Sequence, residues 1–231
     1  MNSQSAMLSA HQLTKHVSSP EGQLTILDRV DLEIRPGESV AVVGVSGAGK
    51  STLLGLLAGL DVPSSGNVKL ENQDLSLLDE DGRAALRADH VGFVFQSFHL
   101  IPSLTALENV MLPLELSNHP DPAGAARETL DKVGLKDRVA HYPRQLSGGE
   151  KQRVAIARAF VVRPKIMFAD EPTGNLDHRT GETIIELLFR LNRESDTTLL
   201  LVTHDLSLAQ LCDRILHMDA GRITREETPQ R

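Results

Sequence analysis

The chain has 231 residues, of which 40% are hydrophobic, and a formal net charge of −7 at pH 7. This length suffices for one α/β domain with an appended subdomain, and no apolar run approaches the roughly 18 residues of a transmembrane helix. The acidic balance, the lack of Trp and the single Tyr argue against nucleic acid as the main partner. Residues 1–10 lack the pattern of a signal peptide, and the single cysteine, Cys212, excludes an internal disulfide and a cysteine metal cluster. We therefore expect a soluble, intracellular protein with Cys212 buried.

The first third of the chain is predicted to be rich in strands. Residues 24–34 predict one strand, which ends at Pro36-Gly37, and residues 39–43 predict an apolar strand that stops at a glycine-rich turn. That turn opens a helix and is a P-loop, in which converging backbone N–H groups at a helix start bind a polyphosphate. Lys50 is placed to reach the β- and γ-phosphates, and the Ser51 hydroxyl to contribute to a Mg²⁺ site. The P-loop comprises Gly44, Val45, Ser46, Gly47, Ala48, Gly49, Lys50, Ser51 and Thr52.

Residues 96–164 are predicted to form an inserted helical subdomain. A short strand at 67–70, a helix at 77–88 and a buried strand at 91–95 that ends at Gln96 come before it. Within it, Thr105 and Glu108 form a capping box that starts a helix, and a second helix is expected at 123–133. No convincing strand follows until residue 165, so the loops of this subdomain are the natural place for a partner to dock.

A third helix of this subdomain begins at the sequence Leu-Ser-Gly-Gly-Glu, residues 146–150. Ser147 and Glu150 form another capping box, which by itself indicates only a well-formed helix start. Gly148 and Gly149 weaken a first turn by about 1 kcal/mol each relative to alanine, but they allow a ligand to approach the backbone closely. In a chain that also has a P-loop, this favours an anion site at the helix start.

The strand predicted at 165–169 ends in two carboxylates, Asp170 and Glu171. Ligands of α/β sheets bind at the carboxyl ends of parallel strands, so Asp170 is expected to hold Mg²⁺, through water, and Glu171 to polarise a water that attacks the γ-phosphate. A strand that merely ends in a polar turn explains one of these carboxylates but not both.

Two shorter signals follow. Asp177 precedes a helix predicted at 179–193 and is, taken alone, an ordinary N-cap. The strand predicted at 198–202 ends at Thr203 and places His204 at the same strand-end crevice, where its imidazole can hydrogen-bond the γ-phosphate.

The order of these motifs resembles that of ABC-type ATPases, the nucleotide-binding subunits of ABC transporters. The resemblance covers about residues 8–224 and rests on the P-loop, Gln96, the 146–150 motif, Asp170-Glu171, Asn175-Leu176-Asp177 and His204. It implies an α/β P-loop NTPase fold with a mainly parallel RecA-like core sheet, an antiparallel β subdomain and an inserted helical subdomain. Residues 1–231 would then be one ABC ATPase domain, with the ATP-binding core and β subdomain at 1–95 and 165–231, and the helical subdomain at about 96–164.

The resemblance also implies a head-to-tail homodimer that encloses two ATP molecules with Mg²⁺. In that arrangement Ser147, Gly148 and Gly149 of one copy cap the γ-phosphate held by the P-loop of the other, and Asp177 reaches across the dimer. Gln96 would sense Mg²⁺ and the attacking water, Glu171 would be the catalytic base, and His204 would steady the γ-phosphate.

The finer resemblance is to the lipoprotein-release and macrolide-export group (LolD-like and MacB-like), and within it to YbbA-like members. Residues 91–96, 100–110, Leu-Ser-Gly-Gly-Glu and 170–177 carry it. It implies an ATPase on the cytoplasmic side of a bacterial inner membrane that drives a permease in export, lipoprotein or lipid extraction, or mechanical work. An importer ATPase and a DNA-associated ABC-type ATPase are the alternatives; the latter usually carries long insertions that about 96 residues cannot hold, and a small P-loop kinase would have no use for Leu-Ser-Gly-Gly-Glu.

One position departs from the family pattern. An aromatic residue near the first strand usually stacks on adenine, and in the segment 13–17 of this chain Val17 stands at that place. We therefore expect an adenine contact that is apolar or uses His16, with loose selectivity for the base.

Overall fold

The computed structural model describes residues 6–19 and 22–229, which form two compact units. The first unit contains the described residues up to Arg87 and from Thr198 onward, and the second contains Ala88–Thr197. The division predicted from the sequence, at about residues 96 and 164, stays a prediction. The expectation of no signal peptide rests on residues 1–10, and residues 1–5 of this segment lie outside the described residues.

The first unit contains an antiparallel sheet with the strand order β2-β1-β4-β5. Its long pair joins β1 (Leu8–Ser19) to β2 (Gly22–Ile34), and β4 (Ser65–Leu70) and the short β5 (Gln73–Asp74) extend it. Leu8 lies opposite both Ile34 and Leu70, and all three side chains are buried. One face of this sheet therefore supplies apolar side chains to the core of the unit.

The P-loop strand, β3 (Ser39–Val43), lies between two parallel neighbours in the same unit. These are β8 (Thr198–Thr203) and β9 (Arg214–Asp219), and β10 (Arg222–Glu227) pairs with β9 in the antiparallel sense. All residues of β3 and β8 are buried, as is typical of parallel strands covered on both faces. The helices α1 (Lys50–Leu57) and α7 (Leu206–Ala209) belong to this unit, and α2 (Glu80–His90) begins in it.

The second unit contains a parallel strand pair and four helices. The strands are β6 (Val91–Phe95) and β7 (Ile166–Asp170), and between them the described residues form helices and turns but no strand. Both predicted capping boxes are present, with Thr105 and Glu108 at the start of α3 and Ser147 and Glu150 at the start of α5. The helices are α3 (Ala106–Leu116), α4 (Pro122–Lys132), α5 (Gly148–Phe160) and α6 (His178–Glu194).

The helix predicted at 77–88 starts later than expected. Asp74 caps a 3-10 turn at Leu75–Leu77, and the chain is extended at Leu78, so α2 begins only at Glu80. The Asp79 carboxylate accepts the N–H of Gly82 at 2.8 Å and closes the first turn of α2. Local capping by two aspartates thus overrides the apolar period that suggested an earlier start.

Cys212 is buried, as expected. None of the helices in the described part of the chain has the length and apolar character that crossing a bilayer requires.

Candidate nucleotide-binding and catalytic site

The P-loop of the first unit has the backbone that its glycines predict. Gly47 and Gly49 adopt left-handed φ angles of 82° and 97°. A Cβ atom on Gly44 would lie 2.2 Å from the carbonyl oxygen of Met218, so only glycine fits there. The helix α1 that follows has no side-chain cap at Gly49, and a helix start of this kind can bind an anion through its backbone N–H groups.

Lys50 is held above this loop. Its side chain is largely buried, and Nζ donates to the carbonyl oxygens of Gly44 at 2.8 Å and Val45 at 3.0 Å. The ammonium group is thereby fixed over the turn at which α1 begins. A bound phosphate would give it a negatively charged hydrogen-bond acceptor in place of these neutral carbonyl oxygens.

His204 follows a strand adjacent to the P-loop strand. Val43 and Thr203 are paired in register at the ends of β3 and β8, so Gly44 and His204 leave the same edge of the sheet. The next residue, Asp205, accepts the N–H of Ser207 at 2.8 Å and caps α7. The hydroxyl of Ser207 lowers the pKa of Asp205. His204 therefore stands at the start of a fixed turn beside the phosphate loop.

The strands β1 and β2 carry the residues that we expected to contact the adenine base, and β2 lies against the P-loop. A Cβ atom on Gly49 would meet the carbonyl oxygen of Ile26 at 2.9 Å, which places β2 directly beside the loop. Two residues before Ile26, Leu24 pairs with Val17 of β1, and both side chains are exposed, at 54% and 38%. The nearby His16 Nδ1 lies 3.1 Å from the Thr25 hydroxyl. An apolar pair, not an aromatic ring, thus occupies this surface.

The carboxylates of the second unit lie at the end of β7. Phe95 and Asp170 are paired in register, so Gln96 and Glu171 leave β6 and β7 at the same edge. Glu171 adopts a left-handed φ of 46°, which is uncommon for a residue with a side chain. The N–H of Gly174 donates to the Glu171 carbonyl at 3.0 Å and closes the turn that fixes this conformation. Such local strain is typical of functional sites.

The motif after this turn contacts Gln96. The Nε2 group of Gln96 donates to Asn175 Oδ1 at 3.3 Å, and Asn175 Nδ2 donates to the Gln96 carbonyl at 3.0 Å. A Cβ atom on Gly174 would lie 2.6 Å from Gln96 Nε2, so the glycine makes room for this side chain.

The starts of α5 and α6 lie side by side. A Cβ atom on Gly149 would meet Thr180 Cγ2 at 2.6 Å, and one on Gly148 would meet Leu176 Cδ2 at 3.1 Å. Both glycines therefore have a packing role within the chain, which the sequence did not predict. Asp177 caps α6 and accepts the N–H of Thr180 at 3.0 Å.

A carboxylate takes part in the capping of each of these two helices, Glu150 at α5 and Asp177 at α6. The Thr180 hydroxyl and N–H lower the pKa of Asp177, and the Ser147 N–H followed by Arg138 lowers the pKa of Glu150.

Gln152 connects this region and was not predicted from the sequence. Its buried Nε2 donates to the Pro172 carbonyl at 2.6 Å and, over a longer 3.4 Å, to the Phe95 carbonyl. The available signal was a polar residue on the apolar face of a helix, because Gly149, Ile156 and Phe160 share that buried face at helical spacing.

The structure brings the predicted residues together in two groups. The P-loop and His204 share one sheet edge in the first unit. The second group, Gln96, Asp170, Glu171, Asp177 and the 147–149 helix start, belongs to the second unit. The proposed Mg²⁺ ligands, Ser51, Gln96 and Asp170, offer only oxygen donors of the kind that magnesium prefers. In the described residues no cluster of three or more His, Cys, Asp or Glu side chains could hold a metal ion.

A phosphate-binding loop joined to this set of motifs defines the ABC class of ATPases, and comparison with known proteins agrees. Residues 27–174 match the family model described as ABC transporter, so the chain belongs to the ABC transporter family and is an ATP-binding ABC ATPase.

The chain is 55% identical over 222 residues to the ABC transporter ATP-binding protein YbbA of Escherichia coli (strain K12), covering 95% of this chain and 97% of that protein. It is 49% identical over 223 residues to the lipoprotein-releasing system ATP-binding protein LolD of Pseudomonas syringae pv. tomato, covering 96% and 98%. The resemblance to the LolD-like group is confirmed.

A solved structure has the same fold. The ATP-binding cassette MJ0796, described as dimeric in a post-hydrolysis state bound to ADP and Pi, aligns with a TM-score of 0.90 at 42% identity, covering 97% of this chain and 100% of that one. The predicted fold class is thereby confirmed.

Proposed function

We propose that this ATPase works as a head-to-tail homodimer with Mg²⁺ and drives a membrane permease from the cytoplasmic side of a bacterial inner membrane. The process served would be export, extraction of lipoproteins or lipids, or mechanical transmission. The match to a protein named for lipoprotein release, which covers nearly the whole of both chains, supports these processes over import. The description of the MJ0796 cassette as dimeric supports the proposed homodimer.

The local geometry supports a role for each of the proposed site residues. Lys50 and the uncapped N–H groups of α1 bind the phosphates of ATP. Glu171, held in a fixed turn after β7, accepts a proton from the attacking water, and Gln96 and His204 orient the water and the γ-phosphate. Mg²⁺, when bound by Ser51, Gln96 and Asp170, would neutralise charge on the β- and γ-phosphates. Ser147, Gly148 and Gly149 serve the ATP of the other copy, and Asp177 reaches towards that copy.

A shallow apolar pocket in the second unit supports a permease contact near residues 96–116. It has a volume of about 310 Å³ and lies between α3, β6 and the end of α5, with Leu112, Leu116 and Phe93 in its wall. Leu116 is 77% exposed. An apolar segment of a partner that covers this surface would gain a binding free energy of about 25 cal/mol for each Å² of apolar area removed from water.

Arg158 connects this pocket to the segment after Gln96. It lines the pocket and donates to the carbonyl oxygens of His99 at 2.7 Å and Phe98 at 3.1 Å. Burial lowers the pKa of Arg158. Phe98 and His99 both have left-handed φ angles, so their backbone depends on this support. A partner seated in the pocket would therefore act on the chain immediately after a proposed catalytic residue.

The observation that carries the catalytic part of the proposal is the fixed turn at Glu171. Glu171→Gln should retain ATP, lose hydrolysis by about 10²- to 10⁴-fold and accumulate an ATP-bound dimer, measured by phosphate release and light scattering. Lys50→Ala should fail to bind nucleotide and stay monomeric. Unchanged hydrolysis by Glu171→Gln would exclude Glu171 as the base.

The permease contact is tested with the candidate permease of a neighbouring reading frame, expressed together with this chain. Leu116→Glu should reduce co-purification from detergent-solubilised membranes, because it places a charge on the apolar pocket. Leu77→Glu is the matched control, since Leu77 is 84% exposed and belongs to the other unit. Equal recovery of both variants would contradict docking at this pocket.

A further inference from the structure

We propose that Gln152 is a positioning residue for hydrolysis, which fixes the turn that bears Glu171 and the strand end that bears Gln96 to helix α5. The inference rests on the proposed function, because it takes Glu171 and Gln96 as the catalytic groups. It assigns a role to a side chain whose hydrogen bonds go to backbone carbonyl oxygens.

The contacts of Gln152 reach both catalytic positions through the backbone. Its Nε2 donates to the carbonyl oxygen of Pro172, the residue after Glu171, at 2.6 Å. A longer bond of 3.4 Å reaches the carbonyl of Phe95, the residue before Gln96. One side-chain amide group, with two N–H bonds to give, thus joins the end of β6 to the turn after β7, beside the two residues that are proposed to act on water.

The surroundings of Gln152 indicate that local stability is not its purpose. The side chain is fully buried, and its Oε1 has no hydrogen-bond partner within the described part of the chain. The two carbonyl oxygens determine which side of the carboxamide faces them, because only the NH₂ group can donate. An apolar side chain of equal length would avoid the cost of the unpartnered oxygen. The position therefore keeps a donor at the expense of an unsatisfied acceptor.

The location of Gln152 on α5 gives the contact its consequence. Helix α5 begins at Gly148, and Gln152 lies four residues further along, about one turn. In the proposed dimer, Ser147, Gly148 and Gly149 meet the ATP held by the other copy. A small movement of this helix start would be transmitted through Gln152 to the Glu171 turn of the same chain. Gln152 would thus make hydrolysis at one site depend on ATP capture at the other.

The test uses Gln152→Met, which keeps length and burial but removes the donor. We expect kcat to fall on the order of 10- to 100-fold, as for misplacement of a catalytic group by about 1 Å, with KM for ATP changed less than about threefold. ATP-driven dimer formation of Gln152→Met in the Glu171→Gln background should persist, because the phosphate contacts are intact. Gln152→Asn, which keeps the amide but cannot reach, should behave in the same way and carries the test if the Met variant does not fold.

The matched control is Asn109→Met. Asn109 is equally buried, and its Nδ2 donates to the carbonyl oxygens of Ile101, Leu104 and Thr105, none of which has a proposed part in hydrolysis. A purely structural role of Gln152 predicts that Tm and kcat fall together in both proteins. A kcat within about twofold of wild type in Gln152→Met or Gln152→Asn, or a loss that only follows Tm, would overturn the proposal. If Lys50→Ala and Glu171→Gln behave as expected while Gln152→Met is fully active, the proposed role of Gln152 is refuted and the proposed function stands.

Discussion

Gln96 and Asn175 bind each other through both side chain and backbone. The Gln96 amide donates to Asn175 Oδ1 at 3.3 Å, and Asn175 Nδ2 donates to the Gln96 carbonyl at 3.0 Å. The segment that follows β6 and the segment that follows β7 therefore hold one another. Asp177, which is proposed to reach the second copy, is two residues beyond Asn175. It is therefore linked, through Asn175, to Gln96, which is proposed to orient water.

Gly174→Ala should displace Gln96 without unfolding the chain. The added Cβ would meet Gln96 Nε2 at 2.6 Å, and this neighbour is the flexible end of a side chain. We expect kcat to fall on the order of tenfold, because one positioned polar group at the reacting centre is misplaced, while Tm stays nearly unchanged. Steady-state ATPase rates and thermal melts measure the two effects.

Gly55→Ala is the control for Gly174→Ala, because a Cβ atom at Gly55 has nothing within 4 Å. It should keep the ATPase rate and raise stability by about 0.5–1 kcal/mol through helix propensity. Full activity in Gly174→Ala would mean that the position of Gln96 does not limit the rate.

The charge of Glu150 should stabilise the fold in a pH-dependent manner. The Ser147 N–H and then Arg138, whose Nε is 2.9 Å away, lower the pKa of Glu150 in the folded chain below the ordinary value of 4.5. The stabilisation is therefore fully present above that value and is lost as pH falls through the folded pKa. Glu150→Gln should lower Tm by about 2–4 °C at neutral pH, where about 1 kcal/mol is at stake, and the difference should shrink below about pH 4.

Glu128→Gln provides the comparison for Glu150→Gln. Lys132 lowers the pKa of Glu128, but both side chains are more than half exposed, so little stability is expected from the pair. A Tm difference for Glu150→Gln that stays constant from neutral pH to about pH 3 would exclude its charge as the cause.

Base selectivity should be loose, because Val17 and Leu24 offer an apolar surface without a ring. We expect kcat/KM for ATP and GTP to agree within about fivefold, since an apolar surface offers no hydrogen bond that distinguishes one base edge from another. Val17→Tyr should lower KM for both nucleotides by about tenfold, as stacking contributes about 1–3 kcal/mol per base. Leu77→Tyr, at a more exposed site outside the P-loop, should leave KM unchanged. A strong preference of the wild-type chain for ATP would refute the apolar contact.

Interactions between residues close in the sequence could be predicted, and side-chain contacts between distant residues could not. The capping boxes at Thr105 and Ser147, and the glycines of the P-loop, require only local geometry and are present as predicted. The strands β9 and β10 carried no such signal, because β9 has only three apolar residues around His217 and β10 has one, Ile223.

The contact between Gly149 and Thr180 and the bonds of Gln152 join residues 20 to 57 positions apart or bring separate helices together. Such contacts follow from tertiary packing alone. The residue set of the motifs could thus be predicted from the sequence, but the side chains that hold those motifs in place could not.

The start of α1, which has no side-chain cap at Gly49, affects how this acidic molecule meets its nucleotide. A net charge of −7 repels a triphosphate at long range, whereas aligned peptide dipoles attract it only within a few ångströms. Added salt weakens the long-range repulsion more than the short-range attraction. Encounter with ATP should accordingly become faster, not slower, as ionic strength rises, which is the opposite of electrostatic steering by a basic cleft.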